Sequence, residues 1–410
     1  MLTVNGDRLN DNINRLAKIG KQPSGSIRRL AFTPEDLQAR YLVQQWMIEL
    51  GMTVRTDAAG NLIGTYVGNV ENAPALATGS HIDTVPSGGP YDGVLGVLAG
   101  IEVVRTLREN NLRLNHPLEV IVFTDEETTM IGSQAMAGTV LLHAPERYQP
   151  QVGQSIQPSL EKIGGDWDNL LTAKRSRADI AAFVELHVEQ GVVLERIGKQ
   201  IGVVQGVVGI RRKIITITGQ ANHAGTTPMD LRQDALVAAA EVVLKVREIA
   251  CGMPSKPVAT VGYLNVLPNS VNTVPGKVEL SVDMRDLSKD CLDEMVEQLR
   301  QKLQEIAADT DTQIEITPLL CVEPAPAATQ VQTAIASVCQ QLGLSYCQLP
   351  SRAGHDSLEM GRITDMGMIF VPSQAGVSHS EAEYTSPEQC VQGANVLLHT
   401  LLQLDKIYPI

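Results

Sequence analysis

The stretch Gly79-Ser80-His81-Ile82-Asp83-Thr84-Val85, running on to Tyr91-Asp92-Gly93, carries residue types that can hold a cation. A short, mostly apolar run from Ala75 to Thr78 leads into it, so it reads as a buried strand ending in a loop. Ligands of an open α/β sheet gather at the carboxyl ends of its strands. His81 and Asp83 are two residues apart, which on an extended backbone puts both side chains on one side. One can bind a metal while the other, Asp83, orients it or its neighbours from behind. Asp92 follows a loop of Pro86, Gly88, Gly89 and Pro90, where the chain can turn sharply. Its carboxylate can return to the same point and bridge two cations. A solvated loop with a capping Asp accounts for the same spacing.

Glu126 and Glu127 close Phe123-Thr124-Asp125-Glu126-Glu127, after the apolar stretch that starts at Leu118. Three acids in a row behind a buried strand are costly unless something cationic holds them. One glutamate can bind a metal while its neighbour moves the proton of a water. An acid-rich helix N-terminus is the other reading. His187, in Glu185-Leu-His-Val-Glu-Gln-Gly191, and His379, in Gly376-Val-Ser-His-Ser-Glu381, also follow apolar strands. Each alone could be a structural histidine. Together, His81, Asp92, Glu127, His187 and His379 each close an apolar strand or the loop after one. Mixed histidine and carboxylate ligands suit Zn²⁺, Mn²⁺ or Co²⁺ rather than Ca²⁺ or Mg²⁺. Five such groups, one of them bridging, suffice for two metals with an open position.

A second polar set lies further on. His223, in Asn222-His-Ala-Gly-Thr-Thr-Pro-Met229, is placed on a turn where it could meet a substrate oxyanion or serve as a turn histidine. Asn272 lies in the loop Asn269-Ser-Val-Asn-Thr-Val-Pro-Gly276. Arg285 ends a strand; an arginine fork grips a carboxylate bidentately, although Asp283 or Asp286 could simply pair with it. Gly354-His355-Asp356 forms a third such loop.

These residues need a frame. Helices are expected over 7–20 and from Pro34 to about Leu50, the latter capped by Thr33 with Pro34 at its first position. Short strands follow at 52–56 and 61–67, then the strand into His81, a helix at 94–110 and a strand at 118–124. Residues 144–180 read as a polar surface excursion with some helix. A strand from Ala181 to Leu186 then delivers His187. Strands alternating with helices predict an α/β fold with a mixed, mainly parallel sheet covered by helices. Beyond Gly206 the pattern changes: strand 213–218, helix 232–251, strands 257–265 and 277–285, helix 288–308, strand 312–318. That β-α-β-β-α-β order is the ferredoxin-like arrangement. It predicts an inserted α+β domain at 212–324, with 1–211 and 325–410 forming the first domain.

Composition mainly excludes. The 410 residues carry a net charge of −13, which argues against nucleic acid or an anionic membrane as partner. Aromatics are only 3%, so the core must be built from aliphatic residues and Met. The first residues lack the basic and apolar regions of a secretory signal, and the longest apolar stretch, near Val94 to Val104, is too short to span a bilayer. Six scattered cysteines without a Cys-x-x-Cys read as reduced thiols of a cytoplasmic protein.

The set of motifs resembles the di-metal amidohydrolases that act on N-carbamoyl-L-amino acids and allantoate, a branch of the superfamily that also holds aminoacylases and metallo-carboxypeptidases. The resemblance rests on Gly79–Thr84, Tyr91-Asp92-Gly93, Glu126-Glu127, Glu185–Gly191, Asn222–Met229, Asn272–Gly276, Ala353–Asp356 and Ser378-His379, in the family's order. It implies a catalytic domain, an inserted dimerisation domain, a homodimer and two divalent ions per subunit. It implies Asp92 as the bridge, Glu127 and His379 completing one metal site, His81 and His187 the other, and Glu126 as general base. His223, Asn272 and Arg285 match substrate-binding residues, with Gly354, His355 and Gln190 beside them. In the family, the histidine and asparagine can come from the partner subunit. The implied reaction is hydrolysis of the ureido group of an N-carbamoyl-L-amino acid. Allantoate, ureidoglycolate or ureidopropionate are the alternatives, and aminoacylase or dipeptidase activity lies further off. The chain departs from the family at Thr128-Thr129-Met130-Ile131, where relatives continue the paired glutamates with Gly, a small residue, Arg and Phe.

Overall fold

The protein is described here from a computed structural model covering residues 2–153 and 155–410. The chain divides into two compact units: Met1–Val207 with Pro326–Ile410, and Val208–Ala325. The second begins a few residues before the expected 212, because the strand Gly209–Thr218 already pairs at its first residue, Gly209 with Asp286.

In the larger unit the central sheet runs in the order Thr53–Thr56, Leu62–Tyr66, Leu118–Phe123, Ala75–His81, Ile180–Val188, Asp365–Val371, Ile201–Val207, with Tyr346–Ser351 beside the last. The four strands from Leu118–Phe123 through Asp365–Val371 are mutually parallel. Strands 75–81, 118–123 and 180–188 are buried at every residue, which is why they read as continuous apolar runs rather than alternating ones. Helices Val94–Glu109 and Pro387–Ile407 pack on this sheet and on one another. Thr33 caps the helix Pro34–Glu49, accepting the Asp36 N–H.

Four details differ from the sequence reading. The opening helix is Gly6–Leu16, shorter than 7–20, with Asn5 as its cap. Strand Ile180–Val188 continues past Leu186, so His187 lies inside it, paired opposite Phe370. The 144–180 excursion is not merely surface: Tyr148, Ile156, Leu160, Trp167 and Leu170 form a small core with Phe32 and Ile131. The strand Ile201–Val207 escaped notice because Gly202 and Gly206 interrupt its apolar pattern.

The smaller unit is the expected β-α-β-β-α-β fold. Its antiparallel sheet has the order Gln313–Val322, Gly209–Thr218, Lys277–Asp286, Val258–Leu267. Helices Ala235–Gly252 and Lys289–Thr310 cover one face, burying Ile215, Ile217, Val278, Leu280 and Val282. Among the described residues, no helix is long and apolar enough to cross a membrane.

Candidate metal centre

Parallel strands end on the same edge of a sheet, so the loops that follow them meet there. His81 is the last residue of its strand, Glu126 and Glu127 follow strand 118–123, His187 is the penultimate residue of strand 180–188, and His379 follows strand 365–371. Asp92 stands one residue before Gly93, the N-cap of the helix Val94–Glu109.

Around Asp92 these side chains converge. Its Oδ1 lies 3.2 Å from His187 Nε2 and 3.6 Å from His81 Nε2, while its Oδ2 lies 3.2 Å from His379 Nε2. Glu127 Oε2 is 3.6 Å from the same His379 nitrogen, and Glu126 Oε2 is 3.6 Å from His81 Nε2. Two ligand triads result, His81–Asp92–His187 and Asp92–Glu127–His379, each compact enough to enclose an ion and sharing only Asp92. His81 and His187 are fully buried; the His379 side chain is half exposed.

The ring tautomers are set from behind. His81 Nδ1 is 3.0 Å from the Asp83 carbonyl and His187 Nδ1 2.9 Å from the Val188 carbonyl. A carbonyl only accepts, so Nδ1 carries the proton and Nε2 offers its lone pair toward Asp92. The Gly93 N–H donates to that lone pair on His187 at 3.2 Å. Asp83 therefore orients His81 chiefly through its carbonyl; its carboxylate accepts the Glu127 N–H at 3.2 Å. Gly93 has φ 65°, and a Cβ there would sit 2.5 Å from the His81 ring, so both backbone and space require glycine.

The electrostatics are those of a cation site. Burial pushes the Asp92 carboxyl up, but the imidazoles of His187, His379 and His81 beside it outweigh this and hold Asp92 well below the usual carboxylate range. Burial pushes Glu126 well up, with Glu127, Asp356 and Asp92 adding to this and His81 opposing it. Burial and Asp92 raise Glu127 to about 7. Burial opposes charge on His81, yet Glu126, Asp92 and Asp83 raise its pKa well above the ordinary value. The close contacts of Asp92, Glu126 and Glu127 run to histidine Nε2 atoms, so a positive charge, a cation or a proton, belongs between them. Buried carboxylates facing imidazole lone-pair nitrogens form a donor set for a divalent transition metal, and these residues fit one.

Gln190 joins the same group: its Nε2 donates to Asp92 Oδ2 at 2.8 Å and lies 3.3 Å from His379 Nε2. Gln190 and His379, like Asp125, have positive φ of 55–56°, and such strained backbone clusters at functional sites. Gly354 is exposed. His355 is buried, its ring centred 4.3 Å from that of His187, and its Nε2 has no hydrogen-bond partner. Burial and His187 lower its pKa well below the ordinary value, leaving a neutral ring.

The remaining three residues belong to the smaller unit. His223 and Asn272 are neighbours there: strand Asn222–His223 pairs with Thr273–Val274, and the Ala224 N–H donates to the Asn272 carbonyl at 2.9 Å. Arg285 binds Asp283 through Nε at 2.8 Å, in company with Arg212. It stands at the far end of strand Lys277–Asp286 from that ribbon, about 27 Å along eight residues at the usual rise. The larger unit thus assembles its predicted set, and the smaller unit does not assemble Arg285 with His223 and Asn272.

Comparison with known proteins accords with this geometry. Residues 77–403 match the model of peptidase family M20/M25/M40. The chain belongs to this family. It is 42% identical to an N-carbamoyl-L-amino acid amidohydrolase of Geobacillus stearothermophilus over 98% of this chain and 99% of the relative. It is 36% identical to a ureidoglycolate hydrolase of Arabidopsis thaliana over 98% of this chain and 87% of that protein. A crystal structure of an amidase of the hydantoinase/carbamoylase family from Burkholderia multivorans superposes with a TM-score of 0.92 at 36% identity, covering all of both chains.

In this family member, the sequence reading missed three supporting residues. Arg29 is fully buried: its Nε donates to the Ile82 carbonyl at 2.6 Å and its backbone N–H to Thr84 Oγ1 at 2.9 Å, fastening the chain on both sides of Asp83. In the sequence it looks like half of a surface Arg28-Arg29 pair. Glu185 accepts the Ser80 hydroxyl at 2.7 Å and the Ser357 N–H at 3.0 Å, joining three site-bearing segments, and it forms a further compact cluster with His187 and His355. Glu383, four residues after His379, is the third.

Proposed function

We propose that this protein hydrolyses the ureido C–N bond of N-carbamoyl-L-amino acids, releasing the amino acid, ammonia and carbon dioxide, with two divalent ions per subunit (zinc, manganese or cobalt). The observation that carries the reading is Asp92, with one carboxylate oxygen toward His81 and His187 and the other toward His379, in a chain 42% identical to an enzyme of that name. When bound, such ions supply Lewis acidity at a carbonyl and lower the pKa of a water toward ~7. The chain's own residues do the rest. His81, Asp92 and His187 hold one ion, and Asp92, Glu127 and His379 the other. Glu126, buried beside His81, takes the proton of the water that attacks the ureido carbon and returns it to the leaving amino-acid nitrogen. The carbamic acid left behind falls apart to ammonia and carbon dioxide.

Arg285, His223 and Asn272 bind the substrate in this reading, His223 facing the oxyanion, an interaction worth roughly 3 kcal/mol. Gly354, His355 and Gln190 are assigned to the substrate as well. With Arg285 and the His223–Asn272 ribbon at opposite ends of one strand, a single smaller unit offers one substrate only part of the set. That separation supports a homodimer in which the partner completes the set. The exposed Tyr263, Leu264 and Leu267 on the edge strand Val258–Leu267, and Leu244 on the helix Ala235–Gly252, supply a surface for it. Six free cysteines fit a cytoplasmic protein.

Ureidoglycolate is the second reading, carried by the Arabidopsis relative. The test is ammonia release by metal-stripped protein reloaded with Mn²⁺, Co²⁺ or Zn²⁺, given N-carbamoyl-L-methionine, ureidoglycolate and allantoate side by side. Metal-dependent turnover of the first is expected. Turnover of either of the others alone reassigns the substrate, and silence on all three with metal bound rejects the ureido reading.

A further inference from the structure

Glu383 is buried on the loop that follows His379. Its Oε1 accepts two backbone N–H groups from the other ligand loop, Tyr91 at 2.8 Å and Asp92 at 3.1 Å. Its Oε2 accepts the hydroxyl of Ser378 at 2.9 Å, and that hydroxyl also lies 3.3 Å from Asp92 Oδ2. One carboxylate thus grips the backbone of Asp92 and the residue next to His379. The fit is close: a Cβ on Gly89 would stand 2.4 Å from Glu383 Oε1. A hydroxyl has one proton to give. While Glu383 takes it, the Ser378 oxygen has no proton for Asp92 Oδ2, so of that oxygen's two lone pairs one accepts Gln190 Nε2 at 2.8 Å and the other stays open toward His379.

We propose that Glu383 is a positioning residue that locks the Asp92 and His379 loops in one register and keeps the second lone pair of Asp92 Oδ2, the one Gln190 does not use, open to a cation on the Glu127–His379 side. The inference rests on the two-metal reading above. A glutamine at 383 can still accept both N–H groups through its carbonyl, but its amide must donate to Ser378. The Ser378 hydroxyl then turns to Asp92 Oδ2 and competes for the lone pair a metal needs. An aspartate is one methylene too short to reach both loops. The weakening is therefore confined to one of the two ions, the one shared by Asp92, Glu127 and His379.

The test is calorimetric titration of metal-stripped protein with Co²⁺ or Mn²⁺, beside thermal melting of each metal-free form. Wild-type protein is expected to take up two ions. E383Q should bind one as wild type does and the other roughly 10- to 100-fold more weakly, the usual effect of removing a group that orients a ligand, with its melting temperature little changed. S378A should weaken the same ion less, since both N–H contacts to Glu383 remain. Adding S378A to E383Q removes the competing hydroxyl and should recover part of the lost affinity. A merely structural Glu383 would move the melting temperature and leave both affinities alone, and two wild-type affinities in E383Q would overturn the inference. Fewer than two ions in wild-type protein would instead reject the two-metal reading itself.

Discussion

The two units treat their polar residues in opposite ways. In the larger one, four parallel strands end on one edge, and each ending adds a side chain to the same small volume around Asp92. In the smaller one the strands are antiparallel, so successive loops fall at alternate ends, and Arg285 is held by Asp283 a full strand length from His223 and Asn272. A parallel sheet concentrates chemistry at one edge; an antiparallel one divides it between two. The larger unit consequently gathers its candidate ligands within one chain, whereas the smaller one holds its candidate residues at two ends, which is the division the proposed homodimer would answer.

The sharpest way to break this comparison is at the complete site. Glu126→Gln keeps size and shape but removes the base, so kcat should fall by roughly 10²–10⁴-fold. Metal content, measured by mass spectrometry, should stay at the wild-type level, because Glu126 lies outside both triads around Asp92. An active Glu126→Gln variant would remove Glu126 from the chemistry and leave the larger unit a metal-binding frame without its base.

The divided set permits a complementation experiment. Arg285→Ala and His223→Ala homodimers should each be nearly inactive. Mixed dimers, refolded or co-expressed with two tags and purified through both, carry one pocket with both residues intact if the two come from different chains. They should recover about half the wild-type activity per dimer, as two-fold symmetry dictates. If both residues served one substrate from one chain, every pocket of the mixed dimer would lack one of them. Activity would then stay at the level of the parents.

The residues that converge on Asp92 were legible in the sequence because a candidate metal ligand must be one of a few residue types at a strand end or in the loop after one, a condition that His81, Asp92, Glu127, His187 and His379 all met. Their supports met no such condition. Arg29 works by giving N–H groups to backbone, including the carbonyl of Ile82, and nothing in its neighbours announces that. Glu383 accepts main-chain N–H groups from a loop nearly three hundred residues away in sequence, and an acid in Ser380-Glu381-Ala382-Glu383 looks like any solvated one. Fold class was legible for a related reason. Buried parallel strands must be apolar throughout, and the alternation of strand and helix fixes how they connect. Strand 201–207, broken by glycines, and the small core of the 144–180 excursion, assembled from scattered residues, have no such periodic signature.

The smallest expected effect concerns Thr128 to Ile131, the stretch that departs from the family pattern the sequence otherwise resembles. The departure does not disturb the ligands: the Asp125 carboxylate accepts the Thr129 hydroxyl at 2.6 Å, and the Met130 N–H closes the turn on the Asp125 carbonyl at 2.7 Å. What changes is the side chain the turn presents. Met130 has φ 54°, and its sulfur stands 4.0 Å from where a Cβ on Gly354 would be, so an unbranched thioether faces the loop assigned to the substrate. A flexible apolar group there favours an apolar substrate side chain. Met130→Ala should therefore lower kcat/KM for N-carbamoyl-L-methionine about tenfold relative to N-carbamoylglycine, the worth of a few lost methylene contacts. Metal content and activity on the glycine derivative should hold. An unchanged ratio would mean that Met130 does not meet the substrate, and that selectivity in this protein comes from the smaller unit or its partner's copy of it.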